Sequence, residues 1–484
     1  MKKIFASLGA VALGATAVHA NSAAGMAMGG DNSKPWSVSA TLRGFYDDNY
    51  TTAPDGPTKR DSIGITVSPS IAFKFPLDQT TLGFRYIYGA TWYEDRTSID
   101  SGNNAWDQTH QFDALFSHSF NSRFSVDASD SFVISQEPEL LDSTGVVTVP
   151  YRTEGNNIRN HGEIAVNGGL TKHLNFVLGY QNTYYNYENS GFAVNGPTAV
   201  TGPGSLSSVD SSLSGLLDRM EHEALFNLRW QAMPKTVLIA GYNYKQVDYL
   251  SNEQIANIQT LTEFIPNSGI FVPSGTDTEV LVNSKTRNSR SHIFYGGVDQ
   301  NFTKDLVLTI RAGVELVDKY NAVIMNQAYN ADPIANPNPY KRDPNSSTTS
   351  PWGNLSLTYT YLPGSSVQVG FTHSRNQTDV VTPDSSTGSI TSDQETSVIY
   401  GSIYHRFTPK LSGRLTAQWQ DAEFFGGFYD GLSEIFFDTG VNFTYRFTPH
   451  FSSEVGYNYS QLNSDASNRD YTRNRVYLGV TASY

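Results

Sequence analysis

Apolar residues recur at every second position over stretches of about ten residues, from Trp36 to the last residue, and this period limits the possible folds most strongly. At the end of the chain Tyr484, Ala482, Val480, Leu478 and Val476 share one phase, opposite Ser483, Thr481, Gly479, Tyr477 and Arg475. Near its start Trp36, Val38, Ala40, Leu42 and Gly44 stand opposite Ser37, Ser39, Thr41 and Arg43. Ile63, Ile65, Val67, Ile71, Phe73 and Phe75 then alternate with Gly64, Thr66, Ser68, Ser70 and Lys74. Next, Leu82, Phe84, Tyr86, Tyr88, Ala90 and Trp92 alternate with Thr81, Gly83, Arg85, Gly89 and Thr91. A two-residue period describes strands with unlike faces. Pro69 falls inside the second strand, removes a ladder donor, and is expected at a bulge or local defect.

The strands are punctuated by eight similar tight turns, at 76–79, 121–123, 171–173, 233–235, 303–305, 363–365, 408–410 and 448–450. Phe407-Thr408-Pro409-Lys410 and Phe447-Thr448-Pro449-His450 are near copies. Between the turns lie the variable connections 190–215, 251–285, 321–350 and 382–393, with shorter ones at 421–431 and 464–470. Short turns at one end and long loops at the other are the asymmetry of a membrane barrel. The expected fold is all-β: a transmembrane, antiparallel, up-and-down barrel. Two strands precede the first turn and two follow the last, which gives 18 strands, or 16 if one turn is misread. Both termini then lie at the short-turn end. A β-solenoid or multi-sandwich adhesin would need one exact short period, which the varied spacing does not provide.

Lys2 and Lys3, the apolar run from Ile4 to Val18 and the small residues around Ala20 read as a secretory signal peptide over 1–20. Residues 21–35 read as a flexible lead-in and 36–484 as one barrel. The chain holds no Cys, so no disulfide framework accompanies the expected export. It is only 38% hydrophobic yet 13% aromatic, a mixture that suits a single layer with one face to lipid and one to water. A net charge of −13 excludes the basic footprint that nucleic acid requires and suits an acidic set of surface loops.

Three stretches carry a family resemblance: Leu42-Arg43-Gly44-Phe45-Tyr46-Asp47-Asp48-Asn49, Ile87-Tyr88-Gly89-Ala90-Thr91-Trp92-Tyr93-Glu94-Asp95-Arg96, and Trp106-Asp107-Gln108-Thr109-His110-Gln111-Phe112-Asp113. They resemble the putative β-barrel porin 2 families of Gram-negative bacteria. The terminal strand with its aromatic last residue also resembles the closing strand of outer-membrane barrels, which the barrel-assembly machinery recognises. The resemblance implies an outer-membrane location among lipid and lipopolysaccharide. It supplies no catalytic motif. Its members include porin-like proteins and proteins associated with exopolysaccharide operons.

If the apolar phase faces lipid, the other phase lines a lumen. Arg43, Lys74, Arg85, Arg159, Arg229, Lys245, Arg311, Arg414, Arg446, Arg473 and Arg475 then point inward. So do Asp113, Asp127, Glu163, Glu221, Glu223, Asp299, Glu315, Asp438 and Glu454. An Arg or Lys facing the lipid midplane would cost about 2–4 kcal/mol, which supports the assignment. The two signs nearly balance, so the wall is expected to be weakly ion-selective at most. The set reads either as a solute-guiding ladder or, the favoured reading, as charges paired across neighbouring strands. Trp36, Trp92, Trp230, Trp352 and Trp419 read mainly as interfacial girdles rather than a sugar slide.

Within 251–285, Ile255, Ile258, Leu261, Phe264, Ile265, Ile270 and Phe271 are too apolar for a free loop. That connection is expected either to narrow the lumen or to pack as a lid on the rim. The ten His show no His-x-x-x-His pair, so neither a catalytic nor a metal site is expected, and no cofactor. Glu94-Asp95 and Asp47-Asp48 read as a solvated acidic rim in preference to Ca²⁺ ligands. The expected function is passive diffusion of small hydrophilic solutes. A barrel partner in exopolysaccharide export and a surface receptor or adhesin remain as alternatives. The sequence leaves open whether the chain forms a homo-oligomer.

Overall fold

The computed structural model describes residues 34–96, 105–135, 156–188, 213–260, 263–264, 271–272, 278–325, 340–382, 384, 389–466 and 469–484. The expected signal peptide, most of the lead-in, and large parts of the 190–215 and 321–350 connections lie outside these residues. So do Leu261, Ile265 and Ile270.

Eighteen strands form one sheet. They are β1 (Trp36–Asp47), β2 (Ser62–Pro76), β3 (Thr80–Tyr93), β4 (Trp106–Ser119), β5 (Phe124–Ser135) and β6 (Asn157–Gly169). There follow β7 (Leu174–Tyr187), β8 (Arg219–Met233), β9 (Thr236–Tyr249), β10 (Ser289–Asn301), β11 (Leu306–Asp318) and β12 (Ser347–Leu362). The last six are β13 (Ser365–Gln377), β14 (Asp393–Arg406), β15 (Leu411–Phe425), β16 (Ser433–Thr448), β17 (Phe451–Ser464) and β18 (Tyr471–Ser483). Each strand pairs antiparallel with its neighbours in the chain. β1 also pairs with β18, with Leu42 facing Val67 on one side and Val480 on the other. The sheet is therefore a closed up-and-down barrel with no free edge. The 16-strand alternative is excluded.

The tight turns form for a local reason that repeats. Thr171, Thr303 and Thr408 each accept, through Oγ1, the backbone N–H groups two and three residues on. Asn121 does the same through Oδ1, and Thr448 accepts from the N–H of His450. Such side-chain-to-backbone bonds set a turn without help from distant residues. Pro69 causes no bulge. The register between β2 and β3 is the same on both sides of it, with only the pairs at Ser68 and Pro69 missing from the ladder.

Alternation sorts the side chains onto two faces. One phase carries exposed large apolar residues on every side of the barrel, among them Ile63, Phe84, Leu178, Phe294, Ile399 and Leu478. Water would not tolerate such a belt, whereas hydrocarbon does. The other phase is zipped by side-chain hydrogen bonds, as between Ser39 and Ser70 (2.7 Å) and between Thr41 and Thr481 (2.9 Å). Leu478 is 65% exposed in the middle of β18. Leu478→Arg is therefore expected to lose about 2–4 kcal/mol of folding free energy in lipid vesicles. A urea unfolding midpoint matching the unsubstituted chain would show that this phase does not face lipid.

Candidate functional site

All twenty charged positions singled out in the sequence lie on the polar phase of their strands, and most engage a partner across the sheet. Arg43 donates from Nε and Nη2 to Glu454 (2.9 and 2.6 Å). Arg85 holds Asp113 at 2.7 Å, and Asp113 also accepts from Gln111 and Ser131. Asp127 accepts from Ser117 and Asn167, Glu163 from Ser129, and Asp438 from Ser460. Glu221 lies between Arg219 (2.7 Å) and Lys245 (3.6 Å). Glu223 accepts from Gln181 and Asn243. Arg229 and Arg311 converge on Asp299 at 2.9 and 2.7 Å. Arg229 reaches Asp299 across the intervening strand β9, a contact that only the concave side of the sheet allows.

The remaining members differ in setting. Glu315 accepts from the backbone N–H of Arg375. Arg159 is buried on β6. Arg473 pairs with Asp47, while Arg475 lies 4.1 Å above the Phe45 ring. Lys74, Arg414 and Arg446 are exposed, toward the tight-turn end. The polar face thus mixes cross-strand ion pairs with acids held by neutral donors and with cations exposed toward the tight-turn end.

Covering this face at the loop end is a structure the sequence reading did not anticipate in full. Helix α1 (Leu213–Leu217) precedes β8, and a hairpin pairs Gln254–Thr260 with Thr278–Asn283 between β9 and β10. Tyr187, Leu216, Leu217, Ile255 and Val282 form one buried cluster together with Ile390, which belongs to the β13–β14 connection. Arg287 bridges the same elements, donating to the carbonyls of Leu216 and Thr378 with its guanidinium over the Tyr249 ring. These contacts bypass the β11–β12 connection, so they form a chord across the mouth of the barrel.

The β13–β14 connection is held from the other side as well. Val380 packs with Phe424, Tyr429 and Ala466. Arg469 binds Asp379 (3.1 and 3.2 Å) and the Glu434 carboxylate (3.2 Å). Gly427, at φ +67°, lies against the backbone of this connection. A Cβ there would stand 2.1 Å from the Thr382 carbonyl oxygen and 2.2 Å from the Thr391 nitrogen, so only glycine fits. The described parts of the 251–285 connection around Ile255 and Val282 therefore pack in a composite cover with the described parts of 378–392.

Several readings need correction. Residues 421–425 belong to β15 rather than to a loop. Trp352 lies on the polar phase of β12 with its ring 4.8 Å from that of Tyr295, so it is no part of an outer girdle. Asp47 and Asp48 do not form a solvated rim: Asp47 is fully buried against Arg473, and Asp48 accepts from Asn474. The sequence reading also treated the inner phase as polar throughout. At the loop end it carries Phe45, Tyr93, Val247, Tyr249, Phe424, Phe436, Leu462 and Tyr471, all buried. The available signal was the break in alternation near these strand ends, where both phases become apolar or aromatic.

Asp218 joins α1 to β8 and accepts from the backbone N–H of Tyr187 at 2.7 Å. Burial pushes its carboxyl up to about 6 from the ordinary 3.8. Because the folded value lies above the unfolded one, the docked connection gains stability as pH falls through 6, and the gain is complete below the unfolded value. The full effect is about 3 kcal/mol. Asp218→Asn is expected to give at pH 7 the loop protection that the unsubstituted chain reaches only below its unfolded value of 3.8, as read by hydrogen exchange at 213–217. Equal pH dependence in both proteins would contradict this.

A sequence-family profile described as Putative beta-barrel porin 2 matches residues 347–484, which begin at the first residue of β12 and run through β18. It is the family suspected from the sequence, matched here in the last strands of the barrel and not in the three stretches that suggested it. No curated protein matches the chain significantly. Among solved structures, the outer membrane protein OpdK from Pseudomonas aeruginosa is similar at 12% identity and a TM-score of 0.41, over 93% of this chain and 99% of that one. OccAB4 from Acinetobacter baumannii aligns at 10% identity and 0.38, over 94% and 99%. The copper transporter OprC aligns at 9% and 0.42, over 90% of this chain, which spans 62% of its length.

Proposed function

We propose that this outer-membrane β-barrel, of the putative β-barrel porin 2 type, lets small hydrophilic solutes diffuse passively through its lumen. The single observation behind this reading is the closed 18-strand wall with a charge-paired polar inner face. A barrel of this size has room for an aqueous path. Paired charges hydrate such a path without fixing one sign along it, so selectivity is weak. The twenty charged residues named above line this path, and the loop cover sets the size limit at its outer mouth.

The closing strand is the handle for the assembly machinery. The Tyr484 ring lies 5.8 Å from Trp36 and 3.7 Å below the Lys34 ammonium, at the tight-turn end of the barrel. Liposomes containing the pure protein are expected to swell in small sugars and to exclude longer oligosaccharides. Equal exclusion of every sugar would defeat the passive-diffusion reading.

One observation favours a second reading. The interlocked cover, with Arg287 and Arg469 both holding 378–392, suits a barrel that stays shut until an envelope partner opens it, as exopolysaccharide passage would require. Swelling that appears only after the cover is loosened would favour this second reading.

A further inference from the structure

The lipid-facing phase carries a charge where hydrocarbon should be. Asp130 is the seventh residue of the twelve in β5. It shares its phase with Val126, Ala128, Phe132 and Ile134, and it stands opposite Ala114 on β4 and Gly162 on β6. Its carboxylate is exposed. The other charges on this phase, among the described residues, lie toward the loop ends of their strands, as Asp248, Arg290, Asp318 and Glu423 do. Asp130 alone lies in mid-strand with apolar positions above and below it.

The charge has polar company. Asn160 donates from Nδ2 to both carboxylate oxygens at 3.0 Å. Asn182 on β7 leans in from the other side: a Cβ built on Gly162 would lie 3.0 Å from Asp130 Oδ2 and 3.1 Å from Asn182 Oδ1. One strand further, His222 Nδ1 lies 2.7 Å from the Tyr180 hydroxyl, again on the outward phase. No cation lies within ion-pair distance of Asp130 among the described residues. Ala114, Ala128 and Gly162 surround it, so the belt is shallow here and its floor is polar.

We infer that the outer face of β5–β7 is the contact between copies of this chain in the membrane. Lipid tails offer no donor to a carboxylate, and headgroups lie at the ends of the strands, away from Asp130. A second copy offers what is missing. The patch holds acceptors on Asp130 and donors on the Asn160 and Asn182 amides and the His222 ring, so it is self-complementary. Its small residues let two walls approach closely. Closed assemblies of like chains are the usual outcome of such a surface. The inference is independent of what passes through the lumen.

Native mass spectrometry of the full-length protein, extracted from membranes in mild detergent, tests it. The unsubstituted chain is expected as a homo-oligomer. Asp130→Leu is expected to lower the ratio of oligomer to monomer by about tenfold or more. The heat-modifiable gel shift of the folded barrel should persist, and Leu355→Ala on another wall should leave the ratio unchanged. Asn182→Leu provides the same test should Asp130→Leu fail to fold. A monomeric unsubstituted protein would overturn the inference. So would an unchanged ratio in the substituted protein, or a stoichiometric complex with a different protein at this face.

Discussion

Arg473→Ala is expected to unlock the seam between the first and last strands. Arg473 Nε donates to both oxygens of Asp47 at 3.0 Å, and Asp47 is fully buried. The next residues continue the lock. Asp48 accepts from the backbone and side-chain nitrogens of Asn474 (2.6 and 2.8 Å), and Asn49 donates to the Thr472 carbonyl (3.0 Å). Truncating Arg473 strands a buried carboxylate, which costs about 3–5 kcal/mol. Arg473→Lys should recover only part of this, because an ammonium cannot grip both oxygens at once. Replacing both Asp47 and Arg473 by Leu should cost much less than either single change. Arg475→Ala is the control, since that guanidinium rests on Phe45 and, among the described residues, forms no ion pair with a carboxylate. Unfolding midpoints in vesicles would decide; equal losses for Arg473→Ala and Arg475→Ala would contradict the lock.

The second large effect is expected at the cover. Arg469→Ala removes the cation that, among the described residues, holds Asp379 and Glu434 together, and Glu434 is buried. Two carboxylates then face each other in low dielectric, at a cost of about 3–5 kcal/mol, which the chain can relieve by releasing 378–392 from the mouth. Glu434 lies at the loop end of β16, so the wall is touched only at its rim and its unfolding midpoint should fall less than in Arg473→Ala. The released segment should become a protease site, and channel conductance should rise. A variant that loses the whole barrel, or one with unchanged cleavage and conductance, would show that Arg469 does not hold the cover.

The wall was legible in the sequence because its determinants are local. Alternation places Leu478 outward and Arg43 inward without reference to any other strand. Thr408 and Asn121 make their turns with their own neighbours. The strand count followed from those turns. The cover was legible only in part: the apolar residues of 251–285 marked a packed connection, but its partners are set by non-local contacts. Ile390 meets Leu216, and Arg469 meets Asp379, only once the barrel has brought their strands round. The same holds for Asp47: next to Asp48 it reads as an acidic loop, and only the closed seam reveals Arg473 as its partner. Trp352 was misread because its neighbours Pro351 and Gly353 leave the strand without a clear apolar phase. Asp130 escaped notice because one acid in a polar-apolar repeat is invisible until the phase is fixed by register with Ala114 and Gly162.

The most direct test is single-channel recording of the pure protein in a planar bilayer, alone and as Arg469→Ala. Passive diffusion predicts stepwise conductance with little preference between cation and anion, and larger steps once the cover is loosened. A correctly folded barrel that conducts in neither form would contradict it.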